Sequence, residues 1–287
     1  ARVVLIKGSV FELIANTCTA AKLNRVAFEE RYLPYAEYKK IKYYLKAKAC
    51  LIPVYGLIEG LRRRKKPEEI AKIRQAVNIV SCAMKAIYEE FLKPGISELE
   101  ICAELERFMR YNGAMGSSFD IIAACGPNSS FPHHLSSSRR LARNDILLID
   151  AGADYFGYKS DLTRVYFLGK INTLARRIYS VVLKAQELAI KGIRPGARAS
   201  FIDNLSRKYI ASKGYGRFFM HSLGHGAGLD IHEYPSISPK VDDVLEEGMV
   251  FTVEPAVYLP GKFGIRIEDM VLVTKKGCEV LSGSINK

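Results

Sequence analysis

The chain repeats its own order of elements once, and that repeat constrains the fold more than any other feature. From Pro67, apolar residues at Ile70, Ile73, Val77, Val80, Met84, Ile87 and Phe91 recur at spacings of three and four, which predicts a long amphipathic helix. Pro67 suits the first helical position, and Glu68 and Glu69 suit the first turn. Pro94-Gly95 follows, and Ser97 with Glu100 forms a capping box that opens a second helix ending at Gly113. The same order then returns. A helix from about Leu174 to Lys191 leads to Pro195-Gly196, and another carries Phe201, Leu205 and Tyr209 on its apolar side and stops at Gly214. Gly95 to Gly113 and Gly196 to Gly214 each span 18 residues, and the copies are offset by 101.

After each helix pair the pattern changes to strands. DILLIDAG and DLTRVYFL flank a turn around Asp154 to Gly157 in the first copy; GMVFTVEPAVY and IRIEDMVLV flank Pro260-Gly261 in the second. Two halves of this kind can join edge to edge into one antiparallel sheet with helices on one face. The expected class is α+β, with the other sheet face free to hold a site.

Four acids stand in strand contexts that normally disfavour them. Asp150 follows an apolar run, Asp161 precedes Leu162, Glu254 follows Phe251 and Val253, and Glu268 lies within IRIEDMVLV. Turns midway between Asp150 and Asp161, and between Glu254 and Glu268, make each pair cross-strand neighbours, with Cβ atoms roughly 5 Å apart. Like charges so placed repel unless cations sit between them. Two such pairs facing one another describe a pocket for two divalent metals, which in shared-carboxylate sites lie about 3.5–4 Å apart.

The histidines fall beside these acids. All five lie in two short segments, His133 and His134 in FPHHLSS, and His221, His225 and His232 in HSLGHGAGLDIHEYP. Histidines in purely structural roles would scatter. Clustering beside Gly224, Gly226 and Gly228, where backbone can bend closely around a ligand, favours a site.

Charge and cysteine content narrow the class. The net charge of +13 is local, because residues 1–66 carry 15 Lys/Arg against 5 Asp/Glu, leaving +3 for the rest. The run Arg62 to Lys66 lacks interleaved aromatics for base stacking and reads as a solvated connector, so nucleic acid is not the expected partner. No stretch approaches a membrane span and no signal peptide is visible, and the six scattered cysteines show no framework spacing. A cytoplasmic protein with reduced thiols is expected.

From about Lys66 to its end the sequence resembles the pita-bread metallopeptidases, which include methionine aminopeptidase, aminopeptidase P and prolidase. The resemblance implies five metal ligands, Asp150 (LLIDAG), Asp161 (SDLTR), His225 (GHGAGLDIHE), Glu254 (GMVFTVEP) and Glu268 (GIRIED). It also maps supporting histidines to His133, His221 and His232, and a sheet arginine to Arg266. IHEYPSIS, FGIRIED and the 14-residue spacing from Glu254 to Glu268 look like the prolidase and aminopeptidase P branch. Residues 1–61 resemble the latter half of that branch's amino-terminal domain. The implied organisation is thus a shortened amino-terminal α/β segment followed by a catalytic pita-bread domain over 62–287.

The implied chemistry is hydrolysis of an Xaa-Pro bond in short peptides by a dinuclear centre. Oxygen-rich ligation with one imidazole favours Mn²⁺, with Co²⁺, Fe²⁺ or Zn²⁺ as alternatives. Asp161 and Glu268 would be the bridging or bidentate ligands, Asp150, His225 and Glu254 would complete the two shells, and Glu254 would take the proton from the attacking water. His221 and His232 would stabilise the tetrahedral intermediate or hold the substrate carbonyl, and His133 would contact substrate near the scissile bond. Arg266, two residues from Glu268 on the same sheet face, would orient that carboxylate, with Thr163 similarly placed beside Asp161. Tyr234, Tyr258 and Phe263 are candidates to line a proline pocket. Methionine aminopeptidase-like activity and a non-catalytic binding module are the rival readings, and a homodimer is an expected assembly.

Overall fold

The computed structural model describes residues 3–283 and 285. The chain divides into two compact units after Gly60. In the first, strands Arg25–Glu29 and Cys50–Val54 pair in parallel beside helices Val10–Ala20 and Tyr35–Leu45, an α/β arrangement closed over Ala15, Cys18, Ile41 and Leu45.

The second unit realises the repeat. Helix Pro67–Ala86 begins with Pro67 inside its first turn and runs on into a wider π-helical turn at Ile87–Phe91. Helix Glu98–Tyr111 opens on the Ser97–Glu100 capping box, and Gly113 follows with φ +94°. The second copy supplies helices Thr173–Gly192 and Ala199–Ser212, with Gly214 at φ +84°. The first pair is followed by an antiparallel ladder of Ile122–Cys125, Ile146–Ala151 and Leu162–Phe167. The second is followed by a five-stranded antiparallel sheet centred on Val250–Val253 and Asp269–Val273, and by the ribbon Ala256–Leu259 with Phe263–Arg266.

The halves do not merge into one continuous sheet. They touch where the Glu268 N–H donates to the Thr163 carbonyl at 3.2 Å. Nor is one face bare. In strand Ile146–Ala151, Ile146 and Leu148 join the core with Ile178 and Val182, whereas Leu147, Ile149 and Ala151 join the other core with Ile101, Leu105 and Met109. Apolar side chains therefore fill both faces along most of the strand. Asp150 continues the Ile146–Leu148 face at the strand end, where the site begins.

One register differs from expectation. Phe156 and Gly157 both adopt positive φ and Tyr155 faces Tyr158, so Asp150 lies opposite Thr163 rather than Asp161. The turn sits one position later than the midpoint of the two aspartates, which moves the pairing by two residues and makes them diagonal neighbours. The second pair keeps its expected register. Val253 opposes Asp269 and Ala256 opposes Arg266, which sets Glu254 directly across from Glu268.

The basic run is a docked element rather than a solvated connector. Arg62 Nη2 binds Asp230 Oδ2 at 2.8 Å and Glu233 Oε2 at 2.6 Å, while Lys65 is only 6% exposed and bonds Glu233. Burying a lysine requires an anion beside it, and Glu233, next to His232, supplies one.

Candidate metal centre

Each candidate acid owes its position to a strand end or a break in a ladder. Asp150 ends the strand whose apolar residues bury it; Asp161 stands just before Leu162–Phe167; Glu254 and Glu268 fill the interruption between two antiparallel ladders. At such breaks side chains converge without displacing the hydrophobic pattern. His225 sits in Gly224–Gly226, where a Cβ on Gly224 would lie 1.9 Å from the Thr252 carbonyl oxygen. Glycine is required there by backbone contact, and the contact brings His225 over Glu254.

One ligand atom each from Asp161, His225 and Glu268 lies within 4.8 Å of the others. His225 Nε2 is 3.5 Å from Asp161 Oδ2 and 3.4 Å from Glu254 Oε1. Its Nδ1 faces the Gly226 carbonyl at 3.2 Å, which places the ring proton on Nδ1 and leaves the Nε2 lone pair aimed at the carboxylates. Thr252 holds the neighbours in place, accepting from the His225 N–H at 3.1 Å and donating to Glu254 Oε1 at 3.2 Å.

Arg266 joins the two halves. Its Nη2 donates to Asp150 Oδ2 at 2.5 Å, its Nε to Thr163 Oγ1 at 3.0 Å, and its Nη1 to Tyr258 Oη at 2.6 Å and the Pro132 carbonyl at 3.2 Å. Thr163 Oγ1 in turn donates to Glu268 Oε2 at 2.6 Å. Sequence reasoning aimed Arg266 directly at Glu268 and Thr163 at Asp161; instead Arg266 binds Asp150 and reaches Glu268 through Thr163. Parity gives the face, and the neighbouring half decides which carboxylate is met.

The electrostatics are those of a site short of positive charge. Burial, reinforced by the Glu268, Asp150 and Glu254 carboxylates, raises Asp161 well above the ordinary carboxylate range. Burial with Glu254 and Asp150 does the same to Glu268, and burial, opposed by Arg266 and aided by Asp150, pushes Glu254 up to about 8. Burial, together with neighbouring positive groups, pushes His221 and His225 down to about 4, so both are neutral imidazoles at physiological pH. Asp150 Oδ1 is buried without a hydrogen-bond partner. An orphaned carboxylate oxygen, three carboxyls that resist ionisation and an imidazole with an inward lone pair together fit divalent cations, which would satisfy all of them.

These features find close counterparts among known proteins. The model for metallopeptidase family M24 matches residues 71–275. The chain belongs to metallopeptidase family M24. It is 39% identical to a Xaa-Pro dipeptidase of Pyrococcus furiosus over 275 residues, covering 95% of this chain and 76% of that protein. Among solved structures, a Xaa-Pro dipeptidase from Bacillus anthracis superposes with a TM-score of 0.95 at 41% identity, covering 98% of this chain and 78% of that one. An X-Pro aminopeptidase from Thermotoga maritima gives a TM-score of 0.91 at 38% identity, covering 97% and 78%. The architecture is the pita-bread fold of M24 peptidases.

In this M24 chain the remaining residues fall into place unevenly. His232 lies against His225 with ring centroids 4.2 Å apart and the planes tilted by 55°. His221 has both nitrogens engaged, Nδ1 with the Ser222 carbonyl at 2.8 Å and Nε2 with Tyr258 Oη at 3.2 Å. His133 is exposed on the loop whose Pro132 carbonyl Arg266 holds, near enough to His221 and His232 for its charge to lower the basicity of both. Phe263 does not line the site. It packs with Val257, Leu259 and Ile265 in the helix-facing core. Tyr258 is buried on the opposite parity and links His221 to Arg266, a role its sequence context did not disclose; the signal available was a large aromatic set opposite Gly264. Arg164 was also missed. Fully buried, it donates from Nη1 to the Glu268 carbonyl at 2.6 Å and pairs through Nη2 with Asp269 at 2.8 Å, bracing the strand that carries Glu268.

Among the described residues no helix is long and apolar enough to cross a membrane.

Proposed function

We propose that this chain hydrolyses the Xaa-Pro bond of short peptides at a dinuclear centre held by Asp150, Asp161, His225, Glu254 and Glu268. The observation that carries this reading is the convergence of Asp161, His225 and Glu268 within 4.8 Å, flanked by the buried orphan oxygen of Asp150. The names borne by the Pyrococcus furiosus, Bacillus anthracis and Thermotoga maritima relatives support the substrate class. The oxygen-rich donor set supports Mn²⁺ ahead of Co²⁺, Fe²⁺ or Zn²⁺.

When bound, two divalent cations supply a hydroxide at neutral pH and a Lewis acid for the scissile carbonyl. The chain's own groups do the rest. Glu254 takes the proton of the attacking water on a carboxylate oxygen and returns it to the departing proline nitrogen. His232 donates to the developing oxyanion, and His221, with its proton on Nδ1 toward the Ser222 carbonyl, supports the same region through its contact with Tyr258 Oη. His133 closes over the bond from its loop. Tyr258 and Arg266 keep His221 and Asp150 in register.

The reading includes a homodimer, to be measured by sedimentation, and a reducing, cytoplasmic setting, which six free cysteines support.

The test compares proline release from Ala-Pro with alanine release from Ala-Pro-Ala, using metal-stripped protein with and without Mn²⁺. Metal-dependent cleavage of either peptide, with Met-Gly-Gly left intact, is expected. Preference for the dipeptide assigns a prolidase, and preference for the tripeptide an aminopeptidase P. Loss of turnover in Asp161→Asn separates an enzyme from a binding module, and intact peptides in every arm would overturn the proposal.

A further inference from the structure

Glu98 lies outside the metal site, and its surroundings are unusual for a first-turn helix acid. Ser97 and Glu100 already cap helix Glu98–Tyr111, so Glu98 is not needed as a cap. Its side chain instead turns inward, is wholly buried, and collects five hydrogen bonds. Oε1 accepts from the Cys125 N–H at 2.7 Å and Asn128 Nδ2 at 2.9 Å. Oε2 accepts from the Ser137 N–H at 2.9 Å and Ser137 Oγ at 2.7 Å, and meets His134 Nε2 at 2.9 Å. Burial alone would raise its pKa, but these donors outweigh burial and hold it below the ordinary carboxylate value.

The donors belong to one loop. Cys125 and Ser137 are its two ends, and a single carboxylate ties them together. Ser136, beside the second end, accepts from the Ala123 N–H at 2.9 Å, and between the ends the loop is held to the second half of the fold. Gly264 N–H donates to Ser129 Oγ at 2.9 Å, and Arg266 Nη1 donates to the Pro132 carbonyl at 3.2 Å. His133 follows Pro132 directly and is exposed, while the neighbouring His134 is the histidine that meets Glu98. His134 is spent on Glu98, so the PHH pair divides its work between an anchor and a free imidazole.

We infer that Glu98 is a positioning residue that sets where His133 stands over the scissile bond. The place of His133 over the scissile bond and the kinetic arm of the test rest on the Xaa-Pro reading; the hold of Glu98 on the His133 loop does not. A buried carboxylate has four lone-pair sites and a fixed reach, so it can hold both loop ends only in one arrangement. Loosening it lets the loop move at the ångström scale, enough to misplace a substrate contact.

The test is a double-mutant cycle on full-length, metal-loaded protein. Glu98→Gln turns one acceptor oxygen into a donor facing donors, and kcat/KM for Ala-Pro is expected to fall about 10- to 100-fold at unchanged bound-metal content. In a His133→Ala background the same substitution is expected to cost less than about 3-fold, because its target is already gone. Effects that multiply overturn the inference. Should Glu98→Gln not fold, Asn128→Ala removes one donor and is expected to show the same non-additivity at smaller amplitude. Histidine-ring NMR gives an arm independent of turnover. The His133 signals, assigned with His133→Ala, should shift or broaden in Glu98→Gln while those of His232 stay in place. Unmoved His133 signals overturn the inference; a wild-type protein that cuts no Xaa-Pro peptide overturns the proposed activity instead.

Discussion

Arg266 and Asp150 meet where the two halves of the fold adjoin, Nη2 to Oδ2 at 2.5 Å, with both residues buried. The same guanidinium holds Thr163, Tyr258 and the His133 loop. Arg266→Ala would leave Asp150 buried without its cation, a change expected to cost about 3–5 kcal/mol in urea unfolding. Arg266→Lys keeps the charge but not the fork, and should recover less than half of that loss. An Ala variant within about 1 kcal/mol of wild type would deny the pair its joining role.

The metal-free protein should lose stability as pH rises above about 6.5. Asp161, Glu254 and Glu268 all bind protons more tightly in the fold than as ordinary carboxylates, Glu254 to about 8 against 4.5. The carboxylates' contribution is therefore full below about pH 4.5 and lost through about pH 8, while His221 and His225, held at about 4 against 6.5, favour the fold increasingly as pH rises to about 6.5, so the net fall is read above that value. A divalent cation replaces those protons. Mn²⁺ should therefore raise Tm more at pH 8 than at pH 6.5, and a metal-free Tm that climbs between these two values would contradict the assignment.

Glu233 carries an asymmetric load. Its carboxylate serves both Lys65 and Arg62, whereas Lys65 is nearly sealed from water. Glu233→Ala strands a buried ammonium and is expected to cost about 3–5 kcal/mol, while Lys65→Met leaves Glu233 its arginine and should cost clearly less. Chemical unfolding of the two variants reads the order directly.

Gly224→Ala should damage the site without touching any ligand. The new methyl would press on the Thr252 carbonyl, and Thr252 is the residue that holds both the His225 N–H and Glu254. The expected result is a loss of Mn²⁺ affinity of about 10-fold or more, with a lesser loss in Gly192→Ala, at the end of helix Thr173–Gly192, whose nearest obstacle is the movable Leu205 side chain. Calorimetric titration with Mn²⁺ distinguishes them.

Much of this was legible in the sequence because it was carried by local pattern. The 101-residue offset gave the repeated helix pairs, the capping box at Ser97 gave a helix start, and Pro260-Gly261 gave the register that faces Glu254 with Glu268. The first hairpin was placed one position early because Phe156 occupies a left-handed turn position that sequence normally reserves for glycine or asparagine. Partners far apart in sequence were not legible at all. Glu98 reads as an ordinary first-turn acid until residues 27 to 39 positions later return to it. Arg164 reads as a strand residue until the other half of the molecule supplies Asp269, and Tyr258 reads as a pocket lining until His221, 37 positions earlier, meets its hydroxyl. The basic run reads as solvated until Glu233, 168 positions on, arrives beside Lys65.

The carboxylates of the centre also arrive at different times. Asp150 and Asp161 leave the ribosome more than a hundred residues ahead of Glu268, and Thr163, which braces Glu268, precedes it by 105. At cellular synthesis speeds that interval is on the order of ten seconds. For the first part of it the nascent chain presents the two aspartates alone; His225 follows Asp161 by 64 residues and Glu254 by 93, and Glu268 comes last. The full donor set therefore exists only once translation has delivered Glu268, so a site of five ligands cannot form on the first half of the repeat alone.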